Sequence, residues 1–170
     1  GSGTGTCIRP MDTFSGTEII KLNNCFSIEG KGINIYARDP SKLNQYNGLV
    51  ITGDNTPSVF FIKWEKFRIM RALTAIYIGT PTDIDYQFQN CAIRDFNLSE
   101  IENIGIHVRS RNVDHLQIEN GCIDTIGSGG RGIYLERSGM INIDTVAGGG
   151  HSQAGSCFIY RDRLTGPLVC

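Results

Sequence analysis

Apolar positions along this 170-residue chain do not follow helical spacing. They come in short apolar–x–apolar runs that return at near-constant intervals. One series is Phe67-Arg68-Ile69, Ala92-Ile93, Leu116-Gln117-Ile118 and Ile141-Asn142-Ile143, with steps of 24, 25 and 25 residues from Ile69 to Ile93, Ile118 and Ile143. A second series interleaves with it: Leu49-Val50-Ile51, Ile76-Tyr77-Ile78, Ile106-His107-Val108, Ile133-Tyr134-Leu135 and Phe158-Ile159-Tyr160, with steps of 27, 30, 27 and 25. Gly48, Gly105 and Gly132 open three of these runs. Strands this short cannot bury an apolar face alone, but stacked in register they can. Two series advancing together place at least two strands on each turn of a closed circuit. The pattern predicts an all-β chain folded as a right-handed parallel β-helix of about six coils of roughly 25 residues. At one strand spacing per coil such a rod is roughly 30 Å long. A β-sandwich of short strands is the competing arrangement, but hairpin dipeptides are scarce and a sandwich gives no reason for two interleaved periods.

The N-terminal third is less regular. Ile19-Ile20-Lys21-Leu22, Phe26-Ser27-Ile28 and Ile33-Asn34-Ile35 read as strands, and spacing does not fix their register. Longer departures from the coil are expected at 37–47, 52–58, 79–87 and 147–156, where Gly, Pro, Asp and Ser gather. Residues 1–6 resemble a linker or cloning scar, which leaves 7–170 as one domain. The apolar finish at Gly166-Pro167-Leu168-Val169-Cys170 points to a piece of a longer chain.

Composition supports strands. The chain has 23 Ile against 9 Leu and 6 Ala, and β-branched residues suit a pleated surface better than a helix. Its 21 glycines exceed the usual share of about 7%, so the chain turns often. Sixteen basic residues against 17 acidic leave a net charge of −1, which argues against a nucleic-acid binder relying on broad positive charge. No apolar run reaches the roughly 18–20 residues that membrane insertion by a helix needs. Six cysteines (7, 25, 91, 122, 157 and 170) include no CxxC pair, and Cys91, Cys122 and Cys157 sit among apolar residues as expected of buried free thiols. Folding in a reducing cytoplasm fits them. No cofactor is called for. No metal set is expected either, since Asp83-Ile84-Asp85 lacks a fuller loop pattern for calcium. Asn97-Leu98-Ser99 has the form of a glycosylation sequon, which matters only in a secretory context. Gly127-Ser128-Gly129-Gly130 precedes a strand rather than a helix and reads as a turn, not a phosphate cradle.

Side chains alternate in and out along a strand. With Ile93, Ile118 and Ile143 inside, the next residues form an outward column of Met70, Arg94, Glu119 and Asp144. Glu119 and Asp144 on adjacent coils would stand near the roughly 5 Å separation of a retaining glycosidase pair, one raised in pKa by the other. Arg94 would keep its neighbour ionised. The second series gives two outward columns: Val50, Tyr77, His107, Tyr134, Ile159, and Thr52, Gly79, Arg109, Glu136, Arg161. Tyr77, His107 and Tyr134 would form a flat aromatic platform with polar tips, suited to a sugar ring or a neighbouring subunit. Arg109, Glu136 and Arg161 alternate in charge, as a solvated ladder or a polar binding surface would.

The runs Ile19-Ile20-Lys21-Leu22-Asn23-Asn24-Cys25-Phe26-Ser27-Ile28-Glu29-Gly30, Asn90-Cys91-Ala92-Ile93-Arg94-Asp95-Phe96 and Gly105-Ile106-His107-Val108-Arg109-Ser110, with its echo Gly132-Ile133-Tyr134-Leu135-Glu136-Arg137-Ser138, resemble the pectate-lyase-like β-helix superfamily. Within it they most resemble the tailspikes and tail fibres of bacterial viruses. The resemblance spans about residues 15–165 and carries no catalytic motif residue by residue. It implies a homotrimeric virion spike that binds host-surface polysaccharide, capsule or lipopolysaccharide, and often cleaves it. A secreted polysaccharide lyase or hydrolase and a purely structural fibre shaft are the alternatives. The amphipathic helix that usually caps the N-terminal end of such folds is missing, which would leave apolar stack ends exposed.

Overall fold

The computed structural model describes residues 6–11, 14–37, 46–53, 59–79, 87–110, 112–125, 127–136, 139–149, 157–161 and 168–169. The strands are β1 (Thr6–Ile8), β2 (Glu18–Asn23), β3 (Phe26–Lys31), β4 (Ile33–Tyr36), β5 (Asn47–Thr52) and β6 (Val59–Met70). They continue with β7 (Thr74–Gly79), β8 (Gln87–Gln89), β9 (Ala92–Ile101), β10 (Ile104–Arg109) and β11 (Asn112–Asp114). The last are β12 (Leu116–Thr125), β13 (Arg131–Glu136), β14 (Ile141–Gly149), β15 (Cys157–Arg161) and β16 (Leu168–Val169). Every pairing is parallel, in two sheets. One runs β1-β4-β6-β9-β12-β14-β16, the other β2-β5-β7-β10-β13-β15. The chain visits the sheets alternately and climbs one strand per turn, so the fold is a parallel β-solenoid.

About four turns are complete, against the six coils that the repeat predicts. The second sheet holds six strands, but its end strands are only partly enclosed. In β2 no residue is fully buried, whereas five of six are buried in β5. A terminal strand has a neighbour on one side only, so its inward face is not sealed.

The first sheet is not flat. Its long strands β6, β9, β12 and β14 bend at Lys66, Asp95, Asn120 and Thr145, each with φ between 51° and 55°. Gly32 (φ 69°) occupies the same place between β3 and β4, so these five residues stack as one left-handed corner. Ser27, Phe61, Asn90 and His115 stack as a second corner, and Arg71 and Glu100 as a third. Left-handed residues thus recur every fifth position, at 61, 66 and 71 and again at 90, 95 and 100. The conformation costs roughly 1–2 kcal/mol per residue bearing a Cβ. Asn and Asp tolerate it best, and they hold three of these places. Each corner also resets the alternation. Trp64 is inward, Glu65 and Lys66 both face away from the core, and Phe67 is inward again.

That reset corrects the first outward column. Ile93 lies opposite Trp64, not Ile69, and Ile69 pairs with Leu98. The column is therefore Glu65, Arg94, Glu119 and Asp144, and Met70 belongs with Tyr36 and Ser99 on the other arm of the bend. A one-residue slip is corrected in β15. Ile133 pairs with Ile159, Tyr134 with Tyr160 and Leu135 with Arg161. Tyr160, not Ile159, thus continues the aromatic column, and Arg161 leaves the Arg109–Glu136 column. A slip of one residue exchanges faces because the side-chain period is two.

The core is a stack of matched columns. Ile20, Leu49, Ile76, Ile106 and Ile133 follow one another up the second sheet. Ile35, Ile69, Leu98 and Ile123 do so on the far arm of the first. Most are fully buried, and each such side chain contributes about 1.5–3 kcal/mol. Aromatics fit where the next rung gives way. The Trp64 ring occupies the space a Cβ on Gly30 would need, and the Phe96 ring does the same over Gly121. At the N-terminal end no helix caps the stack among the described residues. Phe14 lies there instead, its ring 5.4 Å from that of Tyr46, packed against the core. The departure loops lie largely outside the described residues, and 147–149 belong to β14.

Candidate functional site

The outer face of the second sheet gathers most of the candidate binding residues. Register places Val50, Tyr77, His107, Tyr134 and Tyr160 in one column, and Thr52, Gly79, Arg109 and Glu136 in the next. Gly79 allows a close approach, since a Cβ there would fall 2.1 Å from the Arg109 carbonyl oxygen. The rings follow one another along the stack. Tyr77 meets His107 edge-on at 5.0 Å, His107 stacks on Tyr134 at 4.6 Å and 18°, and Tyr134 meets Tyr160 at 5.3 Å. The Arg131 guanidinium lies 4.4 Å from the Tyr134 ring centre and 4.3 Å from that of Tyr160.

This geometry changes what the column can do. The ring faces are taken up by each other and by Arg131. What faces outward are edges, hydroxyls and charged tips, so this face offers hydrogen bonds and charge rather than a flat stacking platform. His107 Nε2 lies 3.0 Å from Glu136 Oε2, and Arg109 Nε 3.4 Å from Glu136 Oε1. Arg109 also bonds to the Tyr77 phenol. Burial lowers the pKa of His107 below its ordinary 6.5, against the pull of Glu136 in the other direction. The neutral ring then donates Nε2–H to the Glu136 carboxylate. Burial likewise raises the Tyr77 phenol above its ordinary 10, with Arg109 opposing. Arg161 stands apart from this cluster in register, and its side chain lies outside the described residues.

The carboxylate pair sits on the other sheet. Glu119 and Asp144 occupy adjacent rungs in register, as the sequence places them. Arg94 Nε lies 3.0 Å from Glu119 Oε2, and Arg94 also bonds to Gln117 Oε1. The Nε–carboxylate contact is an ion pair without an aligned hydrogen bond, since Arg94 Nε has no aligned acceptor. Asp144 is exposed and accepts from Thr145 Oγ1 at 3.0 Å. Below them Glu65 takes Lys31 and Lys63, each at 3.0 Å, and these hold its carboxyl below the ordinary range. The face is a ladder of paired charges, with Asp144 at its open end.

Spacing alone misses Glu65, Arg131 and Tyr160. The five-residue recurrence of corners is the signal that sets the register of Glu65, and the Ile133–Ile159 match is the one that brings in Tyr160. Among the described residues no three His, Cys, Asp or Glu side chains converge to hold a metal, and Asp83 and Asp85 lie outside them. Asn97 of the sequon sits inside β9 with its Oδ1 buried. The Gly127–Gly130 segment closes a turn through a bond from Gly130 N to Gly127 O at 3.0 Å. Cys91 is buried, its thiol pushed up to about 11, while Cys122 is half-buried on the outer surface, contrary to expectation. The Cys157 side chain lies outside the described residues. No helix is long and apolar enough to cross a membrane among those described.

No protein-family model matches this chain, and no curated protein or solved structure matches it. The chain is, on its own geometry, a parallel β-solenoid with a polar–aromatic cluster on an outer face.

Proposed function

We propose that this chain is a polysaccharide-recognition segment of the kind found in bacteriophage tailspikes and tail fibres, acting on capsule or lipopolysaccharide at the host surface. The observation that supports it is the convergence on one face of Tyr77, His107, Arg109, Arg131, Tyr134, Glu136 and Tyr160, contributed by four successive rungs. Hydroxyl-rich ligands need many donors and acceptors at short spacing, and parallel strands repeat about every 4.8 Å. A rigid stack holds these groups with little ordering cost on binding. In this reading the chain works as a homotrimer on the virion tail, without nucleic acid, membrane insertion or a cofactor. Cleavage, where it occurs, falls to Glu119 and Asp144, with Arg94 paired to Glu119.

The test is binding of the whole chain to a panel of purified capsular polysaccharides and lipopolysaccharides, with Tyr134→Ala and Glu136→Gln as variants. Saturable binding that falls about tenfold in Glu136→Gln, the loss of one charge-assisted hydrogen bond, is expected. Binding that both variants leave unchanged would overturn the assignment of this face. Light scattering tests the assembly: a trimer has three times the 18.7 kDa of one chain. Release of reducing ends or unsaturated sugars, abolished by Asp144→Asn, tests the cleavage.

A further inference from the structure

The polar–aromatic cluster holds one imidazole, and its surroundings set what a second proton on that ring does. His107 is half-buried near the end of β10. From β7 the Tyr77 ring meets it edge-on at 5.0 Å, and from β13 the Tyr134 ring stacks on it at 4.6 Å. Glu136 of β13 takes Nε2 at 3.0 Å. Arg109, two residues along β10, reaches the other oxygen of the same carboxylate at 3.4 Å. Arg131 of β13 lies over the Tyr134 and Tyr160 rings, close enough for its charge to act on the imidazole.

The two ring nitrogens have different duties. Nε2 is committed to Glu136. Nδ1 makes no hydrogen bond among the described residues, and it is not one of the buried polar atoms left without a partner, so it is open to solvent. In the neutral ring Nε2 carries the proton and Nδ1 accepts. A second proton makes Nδ1 a donor and adds a positive charge. The ring then stands with Arg109 and Arg131 as a third cation. Among the described residues Glu136 is the one carboxylate acting on the ring, and it already serves Arg109. An anion arriving from outside relieves that excess and finds a charge-assisted donor at Nδ1.

We infer that His107 makes polysaccharide binding on this face acid-dependent: protonation turns its open Nδ1 from acceptor to donor and adds a cation beside Arg109 and Arg131, so an anionic polysaccharide binds more tightly as pH falls. The inference rests on the polysaccharide reading above and adds its regulation. Burial holds the pKa of the ring below 6.5 in the free chain, which leaves it mostly neutral at pH 7.5. A bound anion favours the protonated form and raises that pKa. Linkage is reciprocal, so binding tightens as pH drops through the pKa of the complex and levels off below that of the free chain. Ligand carboxylates stay largely ionised down to pH 5 and do not titrate in this window.

The experiment is calorimetric titration at pH 7.5 and pH 5 with whichever anionic capsular polysaccharides or lipopolysaccharides bind in the panel above. The parent chain is compared with His107→Gln and His115→Gln, and thermal melting at both pH values confirms that each is folded. Gln keeps an N–H for Glu136 and does not titrate. His115 is exposed at a corner of the first sheet, beside Asp114. The parent should bind about three- to tenfold more tightly at pH 5, the worth of one charge-assisted bond. That ratio should persist in His115→Gln and vanish in His107→Gln. In NMR titrations the His107 midpoint should rise by about 0.5–1 pH when the polysaccharide saturates the chain. Binding that is equal or weaker at pH 5, a ratio that survives in His107→Gln, or a His107 midpoint that the ligand leaves unmoved overturns the switch and leaves the polysaccharide reading standing. Binding of neutral polysaccharides alone does the same. If no capsule or lipopolysaccharide binds at either pH, both fall together.

Discussion

Two outer faces of the same solenoid are built on the same repeat and end in opposite states. On the second sheet, His107 and Arg109 share the Glu136 carboxylate, Arg131 fills the gap between Tyr134 and Tyr160, and the rings stack on one another. On the far arm of the first sheet, Arg68, Lys66, Asp95 and Asn34 find no partner among the described residues, and an amide oxygen is buried unsatisfied. Backbone geometry does not separate them, since both are parallel ladders. The difference lies in which side chains register brings opposite one another. Where acid meets base and ring meets ring, the face closes on itself and stabilises the fold. Where Asn meets Arg meets Asn, polar capacity is left for something else. The first face is therefore closed on its own partners, and the second keeps polar groups that have none among the described residues.

The largest effect should come from the core that both faces share. Leu98 is fully buried between Ile69 and Ile123, and Leu98→Ala should cost about 2–5 kcal/mol by urea unfolding. A loss under about 1 kcal/mol would mean that the stacked columns do not hold the fold.

The next experiment sets the faces against each other. Glu136→Ala leaves His107 and Arg109 without their shared acceptor and should cost about 1–3 kcal/mol. Arg68→Ala removes an exposed group with no partner and should stay within about 0.5 kcal/mol of the parent. Equal losses would erase the distinction.

Acidity sharpens it further. Burial holds the pKa of folded His107 below 6.5. Below 6.5 the unfolded chain takes up a proton that the folded chain refuses, so stability falls as pH drops through the folded value. Above 6.5 both states are neutral and this contribution is level. His107→Asn should flatten the unfolding midpoint between pH 7.5 and pH 5 relative to the parent chain. A parent and variant with parallel pH profiles would show that the ring is not buried as described.

The smallest effect concerns thiols. Cys91 is buried with its thiol pushed up to about 11, and Cys7 is exposed on β1. A maleimide should label Cys7 within minutes and leave Cys91 untouched in the folded chain. Labelling of Cys91 at a similar rate would mean that the first sheet opens locally.

Much of this was legible in the chain. The Leu49, Ile76, Ile106 and Ile133 matches are the observed pairings, because the second sheet has no corner within a strand and alternation runs undisturbed. The Tyr77–His107–Tyr134 column and the adjacency of Glu119 and Asp144 follow from the same regularity. Reading fails at the corners. Lys66 and Phe61 are not residue types that announce a left-handed turn, so the resets at 61 and 66 leave no mark in the sequence, and spacing alone places Met70 where Glu65 stands. The Asn34, Arg68 and Asn97 column is hidden for the same reason, since its rungs are 34 and 29 residues apart rather than near 25.

The sequence by itself determined the repeat, the strand-rich architecture and the inward column of the second sheet from Leu49 to Ile133. Burying stacked β-branched side chains is the dominant favourable term, and its period is written in the order of residues. Only the tertiary structure decided the register across the bends, and with it which charges neutralise each other. Those contacts join residues about 25–34 positions apart, and a single left-handed residue between them shifts every later side chain to the other face.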